Sequence, residues 1–592
     1  MSTPIQALRD AMAQNAIDAC IIPTADCHNS EYVGDHFAFR EYVSGFTGSA
    51  GTLLVFPGWA GLWTDGRYFL QAERQLEGSG IRLMKMGEPG VPTLEGFLKD
   101  SLRSGQTLAF DGRCVPAETG RRYFALAKRK GVKIQDRADL ASEIWLDRPP
   151  LSCAPVWEMP IEYAGESRRD KMERVRAAMK KGGADTLLLT ALEDIAWLLN
   201  LRGGDVDCTP VFLSYLALEQ AGGVLFAQPA AFSQEIRDAL AEDGIRLQPY
   251  DNIYSYANRL KRDHTVMLDP GRVNVRLLTS IPTGVKVLEK TDPTLVMKAV
   301  KNETEQENFR KAHLDDGVAL TRFMYWIKKN AGKVPMTELS AAAHLEELRK
   351  AAPDYLMPSF DPILAYGPNS AVIHYSPTPE TDTEIKAENF LLADTGGHYK
   401  TGTTDCTRTY ALGPLTREQK THYTAVLRGT LGLAAARFKK GCTGANLDIL
   451  ARQPLWELGL DYNHGTGHGV GNVLSVHEGP QRIHWKPAAE NASLEAGMVT
   501  SDEPGLYFPG EYGIRLENLM LCTEDRTTDY GTFLSFETLT LTPFDLDAVE
   551  PSMLTEREKA LLNAYHTRVC ETISPHLPSE EADWLKSATR PI

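Results

Sequence analysis

The stretch HGTGHGVGNVLSVHEGP, His464 to Pro480, puts three histidines in seventeen residues and separates them with glycines. A glycine in a helix interior costs about 1 kcal/mol relative to alanine, so this segment is not a helix. No cysteine accompanies the histidines, which removes the ligand set of a structural zinc site. Glycines that admit a close backbone approach, with imidazoles projecting between them, describe the wall of a pocket. What the pocket holds depends on the acidic residues on either side of it.

Upstream, NFLLADTGGHYKTGTTDCTRTY (389–410) reads as an apolar strand delivering Asp394, a Gly-rich turn, and a return strand carrying Asp405. Downstream, GMVTSDEPGLYFPGEYGIRLENLML (497–521) reads the same way, with Glu503 on the first arm and Glu517 on the second. The flanks are apolar, so all four acids sit at the edge of a core, where an isolated carboxylate is expensive. Converging carboxylates also repel one another and require cations. Arg515, two residues before Glu517, is expected as a charge partner and is also a candidate substrate contact. A pair of divalent metals, with His468 as a nitrogen ligand, neutralises the group more completely. A carboxylate-rich site with one imidazole suits Mn²⁺ or a similar ion.

In that order and context, Asp394, Asp405, His468, Glu503 and Glu517 resemble the ligands of the dinuclear metallopeptidases of the pita-bread fold. Methionine aminopeptidases, prolidases and aminopeptidases P make up that family. DTGGHYKTGTTDCTRTY, HGTGHGVGNVLSVHEGP, SDEPG and YGIRLEN are similar to motifs of its long, three-domain, cytosolic-type Xaa-Pro aminopeptidases. SGFTGSAGTLLV, WTDGRYFLQA, IAWLLNLRG and AVKNETE extend the likeness over nearly the whole chain, although none of them carries a metal role. One departure is Asn463, where a more apolar residue is expected before His464.

The resemblance implies a role for each position. Asp394 is expected to bind one metal, Asp405 and Glu517 to bridge two, and His468 and Glu503 to complete the second site. His374 (in IHYSP), His464 and His477 match the substrate-binding or proton-shuttling histidines. The implied reaction is hydrolysis of an N-terminal Xaa-Pro bond by a hydroxide bridging the two metals. In it Glu503 takes the water's proton, His477 donates to the oxyanion and His374 assists the leaving nitrogen. The partners implied are peptides with proline at the second position and, by family analogy, a second copy of the chain. Two alternatives stay open: a prolidase restricted to dipeptides, and a non-catalytic peptide-binding module. His398, His422 and His484 match no family position and are read as structural. Arg67, in TDGRY, is read as a local salt bridge, with an interface or active-site contact as the alternative.

Around this centre the chain reads as α/β (α+β). A first α/β domain, creatinase-like, spans 1–155, and a proline-dense linker follows at Leu146–Tyr163. A second α/β domain, 156–298, repeats the layout of the first: GGVLFAQPAAFSQEIRDAL matches GTLLVFPGWA…YFLQAERQL. The pita-bread catalytic domain with its helical extension spans 299–592 and opens with a capping signal at Asn302 or Thr304. At 592 residues, 43% hydrophobic and 24% charged, the chain has a globular composition and no apolar run long enough for a membrane span. A net charge of -15 argues against nucleic-acid binding. The start lacks a basic segment followed by an apolar one, and nine scattered cysteines without a CxxC pair suit a reducing compartment, so a cytoplasmic protein is expected.

Overall fold

The runs ACIIP, TLLVF and WAGLWT near the start are too short for helices and are rich in β-formers. In the computed structural model, which describes residues 3–486 and 492–592, they form the centre of a six-stranded sheet. Its order is Arg82–Lys85, Trp59–Thr64, Thr52–Phe56, Ala19–Pro23, Thr107–Ala109, Lys133–Gln135. Successive neighbours run parallel, antiparallel, antiparallel, parallel and parallel.

A second six-stranded sheet has the order Ile245–Pro249, Gly222–Ala227, Ser214–Glu219, Thr186–Leu189, Thr265–Leu268, Lys286–Glu289. Its neighbours run in the same five directions. The duplication is thus visible as topology, with one adjustment to the sequence layout. Gly222–Ala227 occupies the place of Trp59–Thr64, and the counterpart of Thr52–Phe56 is Ser214–Glu219. Both hairpins alternate alike, so layout alone slips by one strand. The proline-dense linker limits regular structure without excluding it. It holds a two-residue strand, Trp157–Glu158, paired with Leu201–Arg202, and the one-turn helix Ile161–Ala164.

Both sheets belong to one compact unit, Met1–Pro160 with Glu166–Leu295. Ile161–Gly165 with Val296–Ile592 form a second unit. The second unit opens with helix α1, Glu303–Asn330. Its capping box is closed by Asn302, whose side chain accepts from the Glu305 amide while the Glu305 carboxylate accepts from the Asn302 amide, both at 2.9 Å. Helix α2, Glu338–Lys350, contributes the buried Arg349, which pairs with Asp316 of α1 at 2.8 Å and donates to Thr395 Oγ1 at 3.0 Å.

Thr395 ends strand β1, Phe390–Thr395, which pairs antiparallel with β2, Cys406–Ala411. Helix α3, Arg417–Ala434, covers their apolar side with Tyr423, Val426, Leu427 and Leu431, packed in one cluster with Phe390 and Ala411. Further along come β3, Gly467–His468, and β4, Val499–Asp502. A small hairpin of β5, Gly505–Phe508, and β6, Tyr512–Arg515, leads into β7, Asn518–Thr528, which pairs antiparallel with β4. Among the described residues no helix is long and apolar enough to cross a membrane.

Candidate metal centre

Each acid-bearing hairpin brings its two carboxylates together by register. In the first, Asp394 pairs across the ladder with Thr407, and Asp405 lies just before β2 begins. In the second, the closing pair is Asp502 with Asn518, so Glu503 and Glu517 face each other one step beyond it. The hairpins join at Thr407. Its carbonyl accepts from the Glu517 amide at 3.0 Å, and its hydroxyl donates to Glu517 Oε2 at 2.8 Å.

The glycines of the histidine stretch act as expected for a close approach. A Cβ on Gly467 would lie 2.0 Å from the Ser501 carbonyl, and one on Gly469 would lie 2.0 Å from the Glu478 carbonyl. Between them His468 is pressed against β4, where its amide donates to Ser501 Oγ at 2.9 Å. Its Nε2 comes within 3.5 Å of both Asp405 Oδ2 and Glu503 Oε1. The His477 ring stands edge-on to it, with centroids 4.4 Å apart.

Three overlapping groups result: Asp405, His468 and His477; His468, Glu503 and Glu517; Asp394, Asp405 and Glu517. Within each, the donor atoms lie within 4.8 Å of one another. All five expected ligands are gathered, and His477 joins them. Asp394, Asp405 and Glu517 are buried, whereas His468, His477 and Glu503 are half-buried, so the open side carries the histidines.

The electrostatics fit a cation site. Burial raises the Glu517 carboxyl well above its usual range, and Asp405, Glu503 and Asp394 push it further. Burial also raises Asp394, against the pull of Arg515, and raises Glu503, against the pull of His468. Burial depresses the His468 imidazolium, but the hydrogen bond to Asp405 and the charge of Glu503 outweigh it and hold it at about 9. Two oxygens in the cluster, Asp394 Oδ1 and Glu517 Oε1, are buried and accept no hydrogen bond. Buried oxygens are normally paired, and a carboxylate oxygen aimed at other carboxylates is suited to a metal ion.

Arg515 is buried and donates to Asp394 Oδ2 at 2.6 Å, to the Tyr507 hydroxyl at 2.8 Å and to Thr407 Oγ1 at 3.2 Å. Its carboxylate partner is therefore Asp394 on the other hairpin, although Glu517 is nearer in sequence. His464 is buried, and its Nε2 lies 2.8 Å from the Tyr507 hydroxyl. Tyr507 is a site residue that the sequence reading missed. Its position four residues after Glu503, in the same hairpin as Arg515, was the available signal.

His374 is half-buried in the turn after the 3-10 helix Gly367–Ala371, which β6 holds through a 2.6 Å bond from the Gly513 amide to Ser370 Oγ. His398 lies 3.0 Å from Thr403 Oγ1, His422 lies 2.9 Å from the Tyr512 hydroxyl, and His484 Nδ1 accepts from the Lys486 amide. In the first unit Arg67 makes a local ion pair, its Nε and Nη2 each 2.9 Å from Asp65.

Fold and centre together define a metallohydrolase. Residues 307–524 match the model of metallopeptidase family M24 and residues 532–592 that of its C-terminal region. Residues 4–142 and 147–305 match two models of the creatinase/prolidase N-terminal domain. Aminopeptidase P1 of Arabidopsis thaliana is 36% identical over 100% of this chain and 99% of its own length. Xaa-Pro aminopeptidase 1 of Dictyostelium discoideum is 36% identical over 100% and 97%. The chain belongs to the M24 metallopeptidases. Its structure matches the X-prolyl aminopeptidase of Caenorhabditis elegans, described as a cytosolic enzyme with a di-nuclear active site, with a TM-score of 0.95, 34% identity and full coverage of both chains. A Xaa-Pro dipeptidase from Bacillus anthracis shares the fold over 64% of this chain, at a TM-score of 0.52 and 22% identity.

Proposed function

We propose that this protein removes the N-terminal residue from peptides whose second residue is proline. Asp394, Asp405, His468, Glu503 and Glu517 hold two divalent ions, with Mn²⁺ the ion this donor set favours. The observation that carries the reading is the pair of orphaned buried oxygens, Asp394 Oδ1 and Glu517 Oε1, inside a cluster of six potential ligands. When bound, the ions supply Lewis acidity and activate a water.

The chain's own residues do the rest. Glu503, raised by burial and half-buried, accepts the water's proton. His477, beside His468 on the open side, donates to the carbonyl oxygen as it becomes negative. His374 assists the departing proline nitrogen, and His464 takes part in binding the substrate. Arg515 and Tyr507 hold Asp394 and His464 in place. The bond before proline is a tertiary amide without an N–H, which peptidases that grip an extended N–H cannot hold. The acidic cluster attracts the free N-terminal ammonium.

A cytoplasmic homodimer is the form we propose, and the description of the nematode relative as cytosolic supports the location. The test is to assay Xaa-Pro-Yaa against Xaa-Pro, each with and without added Mn²⁺. Cleavage of the tripeptide that depends on metal is expected. Cleavage of the dipeptide alone would make the protein a prolidase, and cleavage of neither, with less than one metal bound, would make it a binding module.

A further inference from the structure

The segment KAVKNETE (298–305), at the entry to the second unit, has no place in the metal centre, yet both of its lysines are buried. Lys298 Nζ lies 2.8 Å from Glu478 Oε2, and Lys301 Nζ lies 3.3 Å from Glu478 Oε1. All three side chains are almost without solvent exposure. Burying three charges costs several kcal/mol per ion, and an apolar replacement is often as stable, so such a cluster is poorly explained as a stabilising device. Its geometry is more informative. Glu478 directly follows His477 in the loop after β3. Glu478 turns into the lysines while His477 turns to His468.

The rest of the loop is held by its own backbone bonds and by two neighbouring segments. The Glu478 amide donates to the Gly469 carbonyl at 2.7 Å, and the Gly471 amide to the Ser475 carbonyl at 2.9 Å. Asn472 Nδ2 donates to Glu305 Oε1 at 3.2 Å, and Glu305 also caps α1. Val473 has φ of 53°, which is strained for a β-branched residue, and its amide is fixed by Thr403 Oγ1 at 3.0 Å. Strain of this kind persists only where the surroundings over-determine the backbone.

We infer that Lys298 and Lys301 are positioning residues that act on the reaction through Glu478, fixing the loop that presents His477 to the substrate. The inference rests on the proposed role of His477.

A double-mutant cycle on the full-length, metal-loaded protein tests it, with an Xaa-Pro-Yaa tripeptide as substrate. Glu478→Gln keeps the packing and removes the charge the lysines grip. It should lower kcat by roughly 10- to 100-fold with KM within about twofold, the cost of misplacing a reacting group. Bound metal should stay at the wild-type value. Combined with His477→Ala, it should lower kcat no further than His477→Ala alone, whereas a loss that multiplies through both backgrounds overturns the inference. So does a folded Glu478→Gln protein with wild-type kcat. Should Glu478→Gln not fold, Lys298→Met, which leaves Lys301 on the carboxylate, takes its place with the same expected and overturning results. If His477→Ala itself leaves kcat unchanged, the proposed role of His477 fails first, and the positioning claim falls with it.

Discussion

The hairpins around Asp394–Asp405 and Glu503–Glu517 are built alike and neutralised differently. Each is an antiparallel ladder with two carboxylates at its mouth. The first receives a guanidinium, since Arg515 binds Asp394 at 2.6 Å. The second receives a hydroxyl, Thr407 on Glu517 at 2.8 Å, while the His468 ring stands between the two hairpins, 3.5 Å from both Asp405 and Glu503. The protein's own arginine thus reaches one of four acids, His468 serves one acid of each hairpin, and the rest of the balance is left to what the site binds. The pattern separates two jobs that a contact survey merges: Arg515 sets the charge of one ligand, while the metals set the charge of the centre.

The sharpest way to break this comparison is to remove a ligand shared by both groups. His468→Ala is expected to lower tripeptide hydrolysis by at least about 10³-fold at saturating Mn²⁺, the scale at which groups acting on the transition state contribute. Activity within tenfold of wild type would remove His468 from the centre. Next in size is Arg515→Met, which leaves Asp394 buried without its cation. Breaking a buried pair in this way costs about 3–5 kcal/mol. Denaturant melts should show that deficit in the metal-free protein and a smaller one with Mn²⁺ bound. An equal deficit in both states would mean that metal and arginine do not share the Asp394 charge.

Stripping the metal gives the third measurement. A ligand that binds only the folded state stabilises it by about 2.7 kcal/mol at a hundredfold excess over Kd. Chelation should therefore lower the melting temperature of the wild type. Asp405→Asn, which relieves repulsion between the hairpins, should melt higher than wild type when both are metal-free, and calorimetry decides between them.

The smallest effect lies outside both hairpins and serves as their control. Burial pushes the His566 imidazolium down to about 3, and its Nε2 accepts the Phe544 amide at 3.1 Å. The folded state therefore needs the neutral ring. This stability is complete above the unfolded pKa near 6.5 and falls by about 1.4 kcal/mol per pH unit on going from there toward 3. His566→Gln should flatten that slope equally with and without metal. A slope unchanged in the variant would assign the acid weakening to carboxylates outside the centre that cations hold low, such as Glu478 beside Lys298 and Lys301.

The extent to which the site was legible in the chain follows the range of each interaction. Asp394, Asp405, Glu503 and Glu517 could be found because each sits where a local apolar run meets a turn. His468 could be found because glycines on both sides mark a close approach. Arg515 illustrates the limit: its neighbour in sequence is Glu517, its partner in space is Asp394, and only the junction at Thr407 decides between them. The strand match between the two N-terminal sheets slipped by one for a related reason, since alternation is the same on every arm of a meander.

From its sequence alone the chain determined an α/β front part built twice, two acid-bearing hairpins, a glycine-spaced histidine strand between them and a family likeness along its whole length. Those are local patterns, written in periodicity, turns and residue type. The tertiary structure decided which carboxylate takes the arginine, how His464 is tied to Arg515 through Tyr507, and how Lys298 and Lys301 meet Glu478 some 180 residues away. Such pairings leave no mark on local periodicity. They exist because a buried charge must find an opposite charge or a hydrogen bond, and what stands within reach is set by how distant segments pack.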